Sequence, residues 1–412
     1  MIERICPKCR VPMNGERCVK PNCGCVTEMA STVYWCDECN IPIFENVCPS
    51  CGSQGRYIST DMRPVFPEEN ALISIILEDN PTYFQKSSAW YGSGVYVIDG
   101  KKVKLPITKI NKLPIEEIKK IKEKYDDFTA QIDYSYFDEF IRRFVNANVD
   151  RYNFITEEAV HFVQQYQEKY SVEDMMVSFS GGKDSTVTSH IVNRALGTNK
   201  VLHVFGDTTL EFPYTIEYKK RFNKNEESQG VRILTAKNRE KNFEELCEVV
   251  GPPSRVMRWC CTVFKTGAIQ KTIASAFKDK SNILSFQGIR HNESASRSKY
   301  ERESESPKIS KQTVASPIID WIDYDVWLYI LTTKIDFNYA YRLLNVLKGN
   351  DGCMYFGELS QNLHNALISD PKPYRRDVKQ MLANLLSLIE KLGMEEIVID
   401  RPNYSQRVML KK

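Results

Sequence analysis

The spacing of hydrophobic residues changes repeatedly between a strand-like and a helix-like period from residue 173 onward. Short apolar runs that end in glycine or polar residues predict buried strands at 175–179, 201–205, 231–234 and 283–286. Segments with helical spacing predict helices at 186–196, 215–224, 243–249, 262–276 and 324–331. Strands that alternate with helices predict an α/β fold with a doubly wound parallel sheet, in which ligands bind at the carboxyl ends of the strands.

The sequence on either side predicts smaller elements. Helices are predicted at 68–77, 115–128, 137–144 and 157–170, and a hairpin over 94–105 turns at Asp99-Gly100. The polar stretch 292–311 predicts a loop that is mobile or ordered only on binding. Residues 377–392 predict an amphipathic helix that packs against the core.

Composition places the chain among ordinary globular proteins. Its 412 residues are 42% hydrophobic and 26% charged, and a net charge of +3 gives no overall field for binding nucleic acid. The sequence has no apolar run of about 18 residues and no apolar N-terminal signal, so we expect no membrane association.

Cysteines are concentrated near the N-terminus, in close pairs among the first 51 residues, which is typical of metal sites in a reducing cytoplasm. One set offers four thiolates to a tetrahedral Zn²⁺ ion: Cys36, Cys39, Cys48 and Cys51. The other set has a spare residue, either Cys23 or Cys25, and we assign its ligands as Cys6, Cys9, Cys18 and Cys23. Both sets predict zinc ribbons that metal helps to fold, with structural support, protein docking or nucleic-acid contact as alternative roles.

These patterns divide the chain into segments. We expect tandem zinc ribbons at 1–55, a small α/β module at 56–150, the nucleotide-binding α/β domain at 151–345 and a C-terminal helical extension at 346–412.

The stretch from Met175 to Ser185 carries the clearest chemistry. A predicted strand runs directly into a glycine turn and then into a helix, which is the arrangement of an anion site. The glycines allow a phosphate to approach the backbone, Lys183 supplies a cation, and Asp184 either orients the loop or faces Mg²⁺. The candidate binding residues of this turn are Ser180, Gly181, Gly182, Lys183, Asp184 and Ser185. The spacing differs from that of a Walker A loop, because the glycines are adjacent and Asp184 separates lysine from serine.

Ser-Gly-Gly-Lys-Asp-Ser resembles the pyrophosphate loop of the adenine nucleotide α-hydrolase-like superfamily. Later features extend the resemblance. Asp207 and Thr208 follow the second strand, where they suit ribose or base contact, although a simple helix cap is the alternative. Arg258 and Lys265 flank the adjacent thiols Cys260 and Cys261. Arg290 lies in a segment similar to the loop that covers the phosphates in that superfamily.

Together these motifs resemble the phosphoadenosine phosphosulfate (PAPS) reductase family of that superfamily, over residues 155 to 345. The resemblance implies an enzyme whose nucleotide, ATP or PAPS, lies over Ser180–Ser185. The sequence departs from the family in its tail, where no cysteine follows Cys353 to act as the nucleophile of sulfonucleotide reduction.

The resemblance also implies an iron–sulfur alternative. Cys260, Cys261 and Cys353 match ligands of a [4Fe–4S] cluster in relatives that hold one, but Phe356 stands where the fourth ligand is expected. Cys247 is a candidate substitute, and it looks equally like a buried helix cysteine.

The leading hypothesis is an ATP pyrophosphatase-type enzyme that adenylylates an acceptor, releases pyrophosphate and prepares it for thiolation. Lys183, Asp184 and Arg290 would serve catalysis with Mg²⁺, and Cys260, Cys261 or Cys353 would relay sulfur. The expected partners are an adenine nucleotide, a nucleic-acid acceptor and a sulfur donor such as a cysteine desulfurase. The alternatives are a sulfonucleotide reductase that releases sulfite, and a nucleotide-binding zinc-ribbon interaction subunit without turnover.

Overall fold

The structure is a computed structural model, and it describes the chain apart from residues 1, 7, 10–11, 13–14, 78–84, 106–114, 209–210, 212, 226–227, 242–244, 247–248, 250–258, 260, 295–296, 307–308, 310, 344–395, 402–403 and 412. No helix in these described parts is both long and apolar enough to cross a membrane.

The N-terminal segment forms two small antiparallel sheets. Strands β1 (Ile2–Ile5) and β2 (Glu28–Ser31) pair with each other. In the second sheet, β3 (Val33–Cys36) lies between β4 (Ile41–Ile43) and β5 (Arg56–Ser59). Each sheet carries one of the cysteine sets expected from the sequence.

The following module combines a four-stranded antiparallel sheet with helices. Its strands are β6 (Arg63–Pro64), β7 (Ala89–Gly92), β8 (Val95–Ile98) and β9 (Lys101–Val103). The predicted turn at Asp99-Gly100 joins β8 to β9, with a positive φ at both residues. The helices are α1 (Pro67–Ile76), α2 (Ile115–Thr129), α3 (Ser135–Ala147) and α4 (Val149–Gln164).

The C-terminal half is built on a six-stranded sheet in the order β12-β11-β10-β13-β15-β14. Its strands are β10 (Met175–Ser178), β11 (Leu202–Asp207), β12 (Ile233–Lys237), β13 (Ile283–Gln287), β14 (Glu303–Glu305) and β15 (Gln312–Ala315). All neighbours are parallel except β14, which runs antiparallel to β15 at the edge. The predicted α/β fold class with a parallel-dominated sheet is confirmed.

Helices cover this sheet on both faces. They are α5 (Lys183–Leu196), α6 (Pro213–Phe222), α7 (Gly267–Ala276) and α8 (Asp323–Thr333). One core joins α4, α5 and α8 to strands β10 and β13, and it contains Val177, Val187 and Trp327, each fully buried. Trp321 and Trp327 are core residues, as aromatic side chains of such a segment are expected to be.

The structure differs from the sequence expectations in the predicted loop 292–311 and in the C-terminal extension. Part of the predicted loop 292–311 is ordered, because Glu303–Glu305 adds to the sheet edge beside β15. In the predicted helical extension, β16 (Glu396–Arg401) and β17 (Tyr404–Lys411) pair as an antiparallel hairpin. The β-branched run Ile397 to Ile399 favours strand there. The helix predicted at 377–392 lies outside the described residues.

A second core unites the second ribbon with the α/β domain. Buried residues of β3 and β4 pack with Phe144 of α3 and with Tyr324 and Leu328 of α8. At this interface the Asn148 carboxamide oxygen accepts from the Phe44 backbone N–H at 2.9 Å and from the Tyr324 hydroxyl at 2.6 Å. The second ribbon is therefore packed into the same body as the helix that begins at Asp323.

Candidate nucleotide site

The glycine turn joins the end of β10 to the first turn of α5. Gly181 has a φ of 71°, a conformation that favours glycine, and Gly182 is the N-cap of the helix. The helix begins at Lys183, earlier than the predicted Thr186, so that Ser185 and Thr186 lie in its first turn. Their hydroxyls donate to the Gly182 carbonyl oxygen at 2.9 and 3.0 Å. Lys183, Asp184 and Ser185 are thus at a helix N-terminus, where backbone N–H groups and the helix dipole favour an anion.

Serine hydroxyls brace the turn from inside. The hydroxyls of Ser180 and Ser185 lie 3.1 Å apart, and the Ser180 backbone N–H donates to Ser185 Oγ at 3.2 Å. The Gly182 N–H donates to Ser180 Oγ at 3.3 Å. The loop is therefore shaped by its own side chains.

Two cations and two carboxylates form a closed network beside the loop. Asp184 accepts from Arg290 Nε at 2.6 Å through one oxygen and from Lys183 Nζ at 2.9 Å through the other. Asp323, the first residue of α8, accepts from both cations through one oxygen, with Lys183 Nζ at 2.9 Å and an Arg290 terminal nitrogen at 2.8 Å. The two side chains are nearly buried, with 9% of Lys183 and 5% of Arg290 exposed. The network thus brings together three distant parts of the sequence, namely residues 183–184, 290 and 323.

Electrostatics keep this network charged. Burial on its own lowers the pKa of Lys183 and of Arg290, but the Asp184 and Asp323 carboxylates outweigh it and raise both. Burial likewise raises the pKa of Asp184, but Arg290 and Lys183 outweigh it and hold that pKa below its usual value. Both cations are therefore charged at neutral pH.

A third carboxylate, Asp61, lies in the turn between β5 and β6 and approaches the same helix start. It accepts the backbone N–H groups of Asp323 and Tyr324, each at 3.0 Å. Burial and the neighbouring Asp323 carboxylate raise the pKa of Asp61 to about 7.

Residues after α8 support the loop from the other side. Asn338 Nδ2 donates to the Gly181 carbonyl oxygen at 3.2 Å and to Thr215 Oγ1 at 2.9 Å. The Tyr341 ring centroid lies 5.5 Å from Lys183 Nζ. These contacts hold the glycine turn and its lysine.

Sequence reasoning missed several residues of this site. Asp323 stands at the start of a predicted helix, so an acidic residue in a first turn was the available signal. Asp61, Asn338 and Tyr341 gave no signal, because only tertiary packing brings them to the loop.

The end of β11 lies on the other side of the loop. Asp207 Oδ2 is 3.4 Å from Lys237 Nζ, and the Thr208 hydroxyl donates to Glu211 at 2.8 Å. Lys265 is exposed and belongs to a π-helical turn, Cys261–Thr266, that precedes α7. The predicted binding residue Arg258 lies outside the described residues.

The candidate sulfur-handling cysteines are mostly outside the described residues, namely Cys260, Cys353 and the substitute ligand Cys247, together with Phe356. Cys261 opens the π-helical turn, and only its backbone is described.

The two cysteine sets have the geometry of metal sites. The sulfur atoms of each set all lie within 4.8 Å of one another, and the sets are Cys6, Cys9, Cys18, Cys23 and Cys36, Cys39, Cys48, Cys51. Across the second set, Cys36 and Cys51 are 3.5 Å apart and Cys39 and Cys48 are 3.8 Å apart. A tetrahedral Zn²⁺ with sulfur at about 2.3 Å needs sulfur atoms about 3.8 Å apart, so the residues fit this ion. Bound there, Zn²⁺ supplies folding energy.

Comparison with known proteins places the α/β domain. Residues 174–343 match the family model described as the phosphoadenosine phosphosulfate reductase domain. Two uncharacterised proteins of Methanocaldococcus jannaschii are each 31% identical, one over 280 residues and the other over 205 residues. The first match covers 66% of this chain and 54% of the relative, and the second covers 49% and 47%. The chain spans about half the length of these curated relatives.

Similar solved structures include three nucleotide enzymes. The PAPS reductase of Candida auris in a phosphate complex is 13% identical with a TM-score of 0.35, covering 47% of this chain and 91% of that one. The FMN adenylyltransferase of Candida glabrata is 14% identical with a TM-score of 0.37, and the match covers 47% of this chain and 60% of that one. The NH₃-dependent NAD synthetase of Campylobacter jejuni is 12% identical with a TM-score of 0.33, covering 60% and 99%. Residues 174–343 are thus similar to the phosphoadenosine phosphosulfate reductase domain.

Proposed function

We propose that this PAPS reductase-family domain binds ATP over Ser180–Ser185 and adenylylates an acceptor with release of pyrophosphate, as the first step of a thiolation. The observation that supports it best is the pair of nearly buried cations, Lys183 and Arg290, at the N-terminus of α5. Both cations and the helix start favour the negative charge of a polyphosphate.

In the proposed reaction, an acceptor oxygen attacks the α-phosphorus of ATP and the bond to the bridging oxygen of the β-phosphate breaks. Pyrophosphate leaves with that electron pair, and Lys183 and Arg290 stabilise the charge that develops on it. Asp184 and Asp323 hold the two cations in place before the nucleotide arrives. A sulfur nucleophile would then displace AMP from the acceptor.

The contacts of Asp184 favour one of the two roles considered for it. Both of its carboxylate oxygens accept from cationic side chains. We therefore assign Asp184 to orienting the loop, and Mg²⁺ to the phosphates of the incoming nucleotide. Magnesium supplies further neutralisation of phosphate charge when it is bound.

We propose a nucleic-acid acceptor, with the zinc ribbons as a contact surface, and a sulfur donor such as a cysteine desulfurase. Cys260, Cys261 and Cys353 are the proposed sulfur relay, and Asp207, Thr208, Arg258 and Lys265 are proposed to contact the nucleotide.

The test follows AMP and pyrophosphate from Mg-ATP with the anaerobically purified full chain, with and without bulk tRNA or DNA. A parallel reaction follows sulfite from PAPS with a dithiol. We expect pyrophosphate release that nucleic acid stimulates, and a loss of about 10²-fold or more in Lys183→Met. Lys280→Met is the matched control, because Lys280 also pairs with an aspartate, Asp174, at 2.6 Å but away from the loop.

Sulfite release without ATP cleavage would instead make the protein a reductase. Nucleotide binding without any product would favour a binding subunit.

A further inference from the structure

Asp61 belongs to a part of the chain that the family match does not cover. The match begins at residue 174, whereas Asp61 lies between β5, a strand of the second ribbon, and β6 of the small module. Its backbone carbonyl oxygen accepts from the Ser59 hydroxyl at 2.7 Å, which fixes the turn to the end of β5. The side chain nevertheless points to the α/β domain.

Among the described residues, the hydrogen bonds that the Asp61 carboxylate accepts all come from N–H donors. One oxygen accepts from Met62 N–H at 2.8 Å and from Tyr324 N–H at 3.0 Å. The other accepts from Asp323 N–H at 3.0 Å and from Asn292 Nδ2 at 2.8 Å. A carboxylate that accepts the first N–H groups of a helix acts as its N-cap, although here the cap comes from a distant part of the chain.

The capped residue is the one that holds the loop cations. One carboxylate oxygen of Asp323 lies 2.9 Å from Lys183 Nζ and 2.8 Å from a terminal nitrogen of Arg290. The same helix start receives no side-chain cap from Ile322, the residue that precedes it. At this helix start, Asp61 accepts the N–H groups of Asp323 and Tyr324, while Asp325 accepts the Ile322 N–H at 3.1 Å.

Asn292 extends the same connection to the arginine. It lies two positions after Arg290 and donates to Asp61 at 2.8 Å. Asp61 thus contacts both segments, 290–292 and 323–324, whose side chains form the cation network.

We infer that Asp61 is a positioning residue of the nucleotide site, through which the N-terminal ribbon and module hold Asp323, and with it Lys183 and Arg290, in the arrangement that receives phosphate. The inference rests on the proposed function for its consequence in nucleotide binding. Its structural content, the restraint on Lys183, is independent of any ligand.

Removal of the Asp61 carboxylate is expected to change nucleotide affinity in opposite directions, depending on whether it acts through its charge or by positioning the cations. If the carboxylate acted only as a nearby negative charge, its removal would tighten binding of an anionic nucleotide. If it positions the cations, its removal weakens binding although a negative charge is lost. Asparagine separates the two, because it is neutral like alanine but its carbonyl oxygen keeps two of the four N–H bonds that the carboxylate accepts.

The first measurement is the affinity of the full chain for Mg-ATP and for adenosine by calorimetry. We expect Asp61→Ala to weaken Mg-ATP binding on the order of tenfold. This is the change in affinity that corresponds to the free energy typically lost with a helix N-cap. Asp61→Asn should weaken Mg-ATP binding less than Asp61→Ala does, and adenosine, which has no phosphate, should bind all three proteins equally. Equal or tighter Mg-ATP binding by Asp61→Ala would overturn the inference.

The second measurement needs no nucleotide. Pulsed labelling with an amine-reactive ester, quantified by mass spectrometry, reports how well Lys183 is held. We expect Lys183 labelling to rise several-fold in Asp61→Ala and to rise less in Asp61→Asn. Asp133→Ala is the matched control, since Asp133 accepts the Ser135 N–H at 2.8 Å at the start of α3, away from the loop.

The two measurements keep the proposals separate. If the parent protein binds no ATP, the proposed function fails, while the labelling still decides the inference. Unchanged Lys183 labelling in Asp61→Ala overturns the positioning role whether or not ATP binds.

Discussion

At the scale of the residue, Arg290 has the largest predicted effect on stability. Its nearly buried guanidinium joins Asp184 and Asp323 at 2.6 and 2.8 Å. Arg290→Met would leave two carboxylates without this partner, which for buried ion pairs costs several kcal/mol. Because Asp323 is 27% exposed, we expect about 3 kcal/mol, the lower end of that range, in the free energy of unfolding measured by urea titration.

The control for this prediction is Arg142→Met, since Arg142 pairs with Glu139 at 2.8 Å on the surface. Exposed pairs contribute about 0–1 kcal/mol, so this variant should unfold near the parent midpoint. Similar losses in both variants would show that the buried network stabilises the fold no more than a surface ion pair does.

Asp61 gives a prediction of pH dependence. Burial and Asp323 raise its pKa in the folded protein to about 7, from an ordinary value of 3.8. Between these values the folded state binds the proton that the unfolded state has lost, so the contribution of Asp61 to stability falls as pH rises toward 7. We expect the stability of the parent relative to Asp61→Asn to decrease between pH 5 and pH 8 in urea unfolding.

Asp133→Asn is the pH control. The Ser135 backbone N–H holds the pKa of Asp133 below its ordinary value of 3.8, so its contribution changes only at lower pH. A flat difference for Asp61→Asn over the same range would contradict the raised pKa.

At the scale of the element, the sequence predicted the strand–turn–helix unit well because its signals are local. The apolar run of β10, the adjacent glycines and the helical spacing of α5 lie within one short stretch. Strand β15 was missed because its burial against β13 comes from tertiary packing rather than from its own pattern. Asp61 and Asn338 were missed for the same reason, since each reaches the loop from a distant segment.

The turn after β13 gives a prediction about how closely elements approach. A Cβ atom added at Gly288 would lie 2.7 Å from the backbone carbon and oxygen of Asp184 and 2.9 Å from the Ser185 nitrogen. Backbone on both sides leaves little room to adjust, so we expect Gly288→Ala to cost about 1–3 kcal/mol and to weaken Mg-ATP binding by displacing the first turn of α5.

Urea unfolding and calorimetry check the Gly288 prediction. Gly15→Ala is its control, because among the described residues a Cβ atom there meets the Arg17 carbonyl oxygen alone, at 3.9 Å. Unchanged ATP affinity in Gly288→Ala would mean that the close approach does not set the loop.

At the scale of the whole molecule, the two ribbons differ in what they pack against. The second ribbon shares a core with the α/β domain, where Trp35 is fully buried and packs in the same cluster as Tyr324 and Leu328 of α8. In the first ribbon, β1 pairs with β2, and Val19 is 84% exposed. Loss of metal from the second ribbon should therefore destabilise the α/β domain as well, whereas loss of metal from the first should destabilise that ribbon alone.

Matched serine substitutions test this difference, because Cys9 and Cys39 occupy equivalent positions in the two sets. Each variant should lose one bound zinc by elemental analysis. We expect Cys39→Ser to lower the midpoint of thermal unfolding, followed by near-ultraviolet circular dichroism, by at least about 5 °C. Cys9→Ser should leave that midpoint unchanged, since its ribbon contributes no residue to the shared core among the described residues. Equal shifts in the two variants would show that the first ribbon is also part of the cooperative unit, and no shift in either would mean that metal is not needed to hold α8 and Asp323 in place.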